Sequence, residues 1–352
     1  MKNSKKIRLY LSLDLNLAAI TFALLIISSA MTPVWAQDQS GGPLVTRLPM
    51  NKVIATVPVG SAPQGIVVTP NTSFVYVANG GSISLSEIDT KTNTVALNVP
   101  LNNSPGALAI KPDGSTLYIA NYYASSVSVF DTASNTVTQD LALSEGPSYL
   151  AMSPDGTQLY VLCNYEEGNG IIAIIDTQTN QVLSTTINVG GFPQSLVFTA
   201  DGNHAYEVND PATAVTVIDT TTQSISGTLA TSQLHAGGLA LLPNGAKLFV
   251  TGDSTYIQVL FTSGTGKRKI TLPESSGFNT PALTPNGLYL YLPIFTGGST
   301  TVLMIDTRTS QVAGNPITVG TQPYAIAISS NARRAYVSNY ADGTVSVINI
   351  AL

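Results

Sequence analysis

Charge is scarce in this chain: Asp, Glu, Lys and Arg make up 10% of its 352 residues. That is too little to solvate the outer faces of many helices, so a predominantly helical fold is a poor expectation. Cysteine occurs once, as Cys163, which excludes an internal disulfide. Histidine occurs twice, as His204 and His235, so a site built on several imidazoles is also excluded. The chain holds no Ser-elbow motif, no HExxH, no paired cysteines and no phosphate-cradling glycine loop. Apart from Lys267-Arg268-Lys269 there is no basic run, which argues against nucleic acid, whose phosphates are held by clustered Lys and Arg.

Long apolar runs are missing as well, with one exception at the start. Lys2, Lys5, Lys6 and Arg8 precede the apolar stretch Leu15–Ile27, and Val34-Trp35-Ala36 follows as a small-x-small site. Residues 1–36 therefore read as a signal peptide and 37–50 as a linker, with export to the periplasm or beyond. The clean run falls short of the ~20 residues that a spanning helix needs, so no stable membrane anchor is expected. Removing residues 1–36 leaves 11 basic and 19 acidic side chains, an acidic mature protein.

Glycine and proline, by contrast, are plentiful, at 29 and 20 residues, and they punctuate a repeat. One unit runs SPGALAIKPDG, STLYIANYYA, SSVSVFDTAS, NTVT from Ser104 to Thr138: short apolar strands separated by Pro-Asp-Gly and Asp-Thr turn clusters. The Asp closing the third strand recurs as Asp89, Asp131, Asp176, Asp219 and Asp306, with Phe261 and Asn349 in the same slot of two imperfect copies. A period of 40 to 50 residues in strand-rich sequence is the mark of propeller blades. The expectation for residues 51–352 is an all-β, seven-bladed β-propeller of four-stranded antiparallel blades.

The last copy lacks a fourth strand, whereas NKVIATVPVG at Asn51–Gly60 resembles the fourth strands NQVLSTTINVG and SQVAGNPITVG and has no first three of its own. Strand 52–58 is therefore expected to pair with strand 344–350 and close the ring, since closure removes the open edges of an antiparallel architecture.

Tyr76-Val77-Ala78-Asn79, Tyr118-Ile119-Ala120-Asn121 and Tyr336-Val337-Ser338-Asn339, each followed by a Val-Ser-Val-Ile-Asp-Thr-like strand, resemble the YVTN-type β-propeller repeats of exported bacterial and archaeal proteins. The resemblance implies a seven-bladed propeller. It also implies several roles, because such proteins include cell-surface and binding proteins, and related propellers include lactonases and dehydrogenase subunits. Lactonases of this shape that use Ca²⁺ ligate it with channel Glu, Asn and Asp, and no such set aligns here.

The repeated Asp-Thr suits an Asx turn better than a ring of metal ligands. The repeated Tyr suits packing between blades, with its hydroxyl bonded at the rim. Glu207 breaks the pattern by placing a carboxylate where the other copies have Val, Ile or Leu, so it should be paired, protonated or facing the channel.

Turns joining first to second and third to fourth strands share one end of the ring and are stereotyped. The other end carries irregular loops, where binding groups concentrate. Candidate ligand-binding residues there are Tyr122, Tyr149, Tyr165, Phe192, His235, Phe278, Tyr324 and Tyr340. A face rich in aromatic and amide side chains suits a protein, peptide or carbohydrate ligand.

Three readings stay open. The first is a non-catalytic binding or scaffold propeller, monomeric and without cofactor or bound metal. The second is a lactonase-like hydrolase, in which Glu207 or Glu166 with His235 would position water and an ester. The third is a subunit docking a redox partner.

Overall fold

The computed structural model describes residues 51–164, 168–211, 214–232, 235–277 and 279–350. The signal-peptide and linker readings for residues 1–50 lie outside them. Seven antiparallel sheets follow one another in sequence and form a seven-bladed propeller. Blade 1 shows the plan: an inner strand Pro63–Val68, then Phe74–Asn79 and Ser84–Asp89, and an outer strand Thr94–Pro100. Blade 6 departs from it, because its outer strand is split into Gln311–Val312 and Ile317–Thr318, both paired with Thr301–Asp306. Pro316 lies in the gap and has no N–H to give the ladder.

The ring closes as expected. Lys52–Pro58 pairs antiparallel with Thr344–Asn349, from Lys52 opposite Asn349 to Pro58 opposite Thr344, as the outer strand of blade 7. A second feature fixes this register. In other blades the residue ahead of the outer strand takes the left-handed backbone conformation, as at Asn93, Asn135, Asn180, Gln223 and Ser310. In blade 7 that residue is Asn51, from the other end of the chain, with φ 44°. Its Oδ1 accepts the Tyr291 hydroxyl at 2.7 Å, as Asn180 accepts that of Tyr118.

Strand alternation divides each second strand between two neighbours. Tyr76 packs into the apolar cluster between blades 1 and 2, while Val75 and Val77 face blade 7. The described residues form seven such clusters, one at each seam of the ring. Each fully buried Val, Leu or Ile contributes about 1.5–3 kcal/mol, so the seams supply most of the stability in a chain without disulfides. Cys163 belongs to the seam of blades 2 and 3, where burial pushes its thiol up to about 12 and leaves it unreactive.

The repeated turn residues are structural. Asp89 Oδ1 accepts the backbone N–H groups of Lys91 and Thr92 at 2.7 and 3.0 Å, and Asp131, Asp176, Asp219 and Asp306 repeat the pattern. The following Thr ties this turn to the neighbouring one: Thr90, Thr132 and Thr307 donate to the carbonyls of Thr72, Gly114 and Gly287. The Tyr hydroxyl is less regular than expected, since that of Tyr160 is buried without a partner among the described residues.

Deleting Asn51–Gly60 is expected to leave the protein unfolded or aggregated, while deleting Gln37–Gly42 leaves cooperative melting unchanged. Size-exclusion chromatography with thermal melting checks both, and a monomeric, cooperatively melting protein without Asn51–Gly60 would refute the role given to closure. Asn51→Ala should cost about 1–2 kcal/mol through the orphaned Tyr291 hydroxyl.

Candidate functional site

All seven inner strands begin at the irregular-loop end, and most begin alike: Pro63-Gln64, Pro105-Gly106, Pro147-Ser148, Pro193-Gln194 and Pro323-Tyr324. At this point the ladder to the second strand slips, between Pro147 and Tyr149, Pro193 and Ser195, and Pro323 and Ala325, and in blade 5, which has Ala in place of Pro, between Ala236 and Gly238. Each slip is a β-bulge that frees backbone groups from the ladder of its own blade.

Several of the freed groups bond to the next blade. The Ser338 hydroxyl donates to Gln64 O at 2.8 Å, Gly65 N–H to Gly106 O at 3.1 Å and the Ser148 hydroxyl to Pro193 O at 3.2 Å. The Leu239 N–H donates to Ser195 Oγ, the Thr251 hydroxyl to Asn279 O, and Asn279 Nδ2 to Pro323 O. Hydrogen bonds thus join neighbouring blades at every seam here except that of blades 2 and 3, among the described residues.

Inside this ring lies a cavity of about 500 Å³, lined by residues of all seven blades. Its polar groups are Gln64, Ser148, Tyr149, Gln194, Asn279, Thr280 and Tyr324, with Tyr122 and Tyr123 at the edge. Among the described residues no Asp, Glu, His, Lys or Arg lines it. Tyr122 and Tyr123 form a single 3-10 turn with Ala124 and stack edge to face at 5.3 Å, Tyr123 being 90% exposed. Beyond blade 1 from them, Phe295, Tyr324 and Tyr340 form a second aromatic group, with centroids 5.4 to 6.1 Å apart.

The candidates named from sequence separate. Tyr122, Tyr149 and Tyr324 line the cavity, and Tyr340 supports Tyr324 from behind. Phe192 is exposed at 40% without reaching the lining. Tyr165, Glu166 and Phe278 lie outside the described residues. Gln64, Gln194 and Phe295 were not singled out by sequence reasoning, although the residue after the repeated Pro carried the signal for the two glutamines.

Glu207 is fully buried and does not line the cavity. Its neighbour Tyr206 packs toward blade 5 and Ala205 toward blade 3, so alternation sends the carboxylate into the seam of blades 3 and 4, opposite Leu196 and Thr216. Among the described residues neither carboxylate oxygen has a hydrogen-bond partner. Burial pushes the Glu207 carboxyl up to about 8, with the Thr216 hydroxyl acting the other way. At neutral pH the group is mostly the uncharged acid, which the seam tolerates better than the ion.

His235 stands at the rim, its Nδ1 2.9 Å from Asp210 Oδ1, with side chains 51% and 25% exposed. His204 begins the second strand of blade 4, at the opposite end of the ring. Glu207 and His235 are therefore not gathered around the cavity. No group of three or more His, Cys, Asp or Glu that could hold a metal is present among the described residues.

These features define a closed seven-bladed propeller with an aromatic-edged axial mouth that carries no charged side chain among the described residues. Residues 50–145 match the family described as "Lactonase, 7-bladed beta-propeller", a match that spans the closing strand and blades 1 and 2. No curated protein matches the chain. Among solved structures it is similar to Kuenenia stuttgartiensis hydrazine synthase, at 21% identity over 90% of this chain and 99% of that one, with a TM-score of 0.74. It is also similar to the Myceliophteria thermophila Cps50 (Swd1) β-propeller domain, at 12% identity over 86% and 100%, with a TM-score of 0.73. At such identities the likeness is one of fold.

The Glu207 carboxyl makes stability pH-dependent in a defined direction. Between the ordinary value of 4.5 and about 8 the folded state keeps a proton that the unfolded state has lost. Stability from this group therefore falls as pH rises, by about 1.4 kcal/mol per unit, and levels off above the window. Glu207→Gln should melt with the wild type near the bottom of that window and at a higher temperature near its top. Melting curves across pH that stay parallel would show that the carboxyl carries no such shift.

Proposed function

We propose that this chain is an exported, non-catalytic binding propeller of the YVTN type that takes a ligand into the mouth at its irregular-loop end. The observation that carries the reading is the composition of the cavity: all seven blades line it, and none brings an acid, a base or a fixed charge among the described residues. Acid–base hydrolysis needs a titratable group within hydrogen-bond reach of the reacting atom. Binding needs only a preformed, largely enclosed hollow with a few converging polar groups.

The family match at residues 50–145 favours a second reading, a lactone-hydrolysing enzyme. Within that span, however, Asp89 and Asp131 are held by backbone N–H groups in turns at the far end, and Asp113 is held by Ser115. Glu87 is buried and Asp140 accepts the Ser128 hydroxyl. None of these carboxylates lines the cavity, which supports binding over turnover.

Gly106 offers a clean test. A Cβ there meets nothing closer than 3.7 Å, and the residue lines the cavity, so Gly106→Leu should fill the mouth and leave the fold intact. Thermal-shift screening of the mature protein against sugars, peptides and lactones is expected to give ligands that stabilise the wild type but not this variant. Lactones should not be hydrolysed faster than in buffer. Turnover that is lost in Glu207→Gln or His235→Ala would replace binding by catalysis.

A further inference from the structure

The lining narrows the class of ligand, and this inference rests on the mouth being the binding site. We propose that the mouth takes a neutral oligosaccharide, with one sugar ring against Tyr122 and Tyr123 and the adjoining ring held between Gln64, Gln194 and Tyr324.

The exclusions come from charge. A phosphorylated, sulfated or carboxylated ligand would lose water on entering a hollow with no Lys, Arg or His among its described lining residues to meet it. A cation, or the ammonium end of a peptide, would find no carboxylate among the described lining residues. Hydrocarbon ligands are disfavoured by the amides, whose hydrogen-bonding groups they would strip of water without replacement.

The positive case comes from where the polar groups stand. The Gln64 side-chain amide has no hydrogen-bond partner among the described residues, and the residue lines the hollow on blade 1, which stands between the blades that carry the two aromatic groups. Gln194 stands across the mouth on blade 4; its Nε2 is bonded to Phe192 O at 3.1 Å, which leaves its Oε1 to accept. A primary amide both donates and accepts, which matches the paired hydroxyls of a sugar ring. Tyr123 presents nearly all of its ring to solvent at the edge of the hollow, and the apolar faces of sugar rings pack against such rings while their edges stay hydrogen-bonded. The volume of about 500 Å³ lies in the range of ligand pockets and exceeds what a single ion or water needs. The bonds between blades fix the inner-strand backbone that carries Gln64 and its counterparts before any ligand arrives.

The test is a titration calorimetry panel of neutral oligosaccharides, uronate-containing and sulfated glycans, and short peptides, read against the wild type and the variants Gly106→Leu, Tyr123→Ala and Gln64→Ala. At least one neutral oligosaccharide is expected to bind the wild type, about tenfold more weakly to Tyr123→Ala and several-fold more weakly to Gln64→Ala, and not at all to Gly106→Leu. Its affinity should be unchanged between about 50 and about 500 mM salt, because no ionic contact is made. Thermal melting of each variant confirms that the fold is kept. Peptide or charged-glycan binding that Gly106→Leu abolishes, with neutral oligosaccharides inactive, would overturn the sugar assignment and leave the mouth as the binding site. Binding of any class that Gly106→Leu leaves intact would overturn both.

Discussion

The pairing of Lys52–Pro58 with Thr344–Asn349 is the constraint on which the rest depends. Without it blade 7 would end in an open third strand, and the apolar seams on both sides would lose Val57 and Val53. With it, each blade meets a neighbour on both faces, and the axial hollow becomes a ring whose diameter is fixed by the number of blades. Side chains that are far apart in sequence, such as Gln64 and Gln194, then face one another at set positions. The geometry of the mouth is a consequence of closure, because no single blade encloses anything.

Polar economy is the second theme. A chain with so little charge still has to satisfy the backbone at every turn and bulge. The Asp and Thr of the third-strand turns do this at one end, bonding within their own turn and to the one before. At the other end the bulges bond across the seams, through Ser338, Ser148, Ser195 and Asn279. The two ends are thus stabilised by different devices. The stereotyped end uses its side chains up in turn-making, whereas the mouth keeps amide and phenol groups over. Glu207 is the exception inside the seams, a buried carboxyl held up in pKa by its burial.

The fold was legible because its signals are local and repeated. Turn chemistry at Asp89 and its counterparts, alternation in the strands and the orphan strand at Asn51–Gly60 each carry their meaning within ten residues. The bulges at the inner-strand starts were not legible, since they arise from the approach of neighbouring blades rather than from propensity. For the same reason Tyr122, Tyr149 and Tyr324 could be named individually, but their convergence on one hollow, and the part of Gln64 and Gln194 in it, needed the radial order of the blades. Glu207 was visible as a break in a pattern, though its destination in a seam rather than the channel followed only from which neighbour each face of its strand meets. The partnership of His235 with Asp210 joins adjacent blades 25 positions apart, and no periodicity announces it.

The borrowed strand also sets an order of events. Every other outer strand finds its partner a few residues away, within a hairpin, but Asn51 and Lys52 must wait for Tyr291 and Asn349, nearly the whole domain later. Contacts of such long separation are slow to form and come after the local ones. Six blades can therefore assemble while the leading segment still hangs free, and the molecule becomes a ring only in its final step. During that interval the free segment and the last blade's bare edge are the parts of the chain most exposed to pairing with a second copy, as in a domain swap.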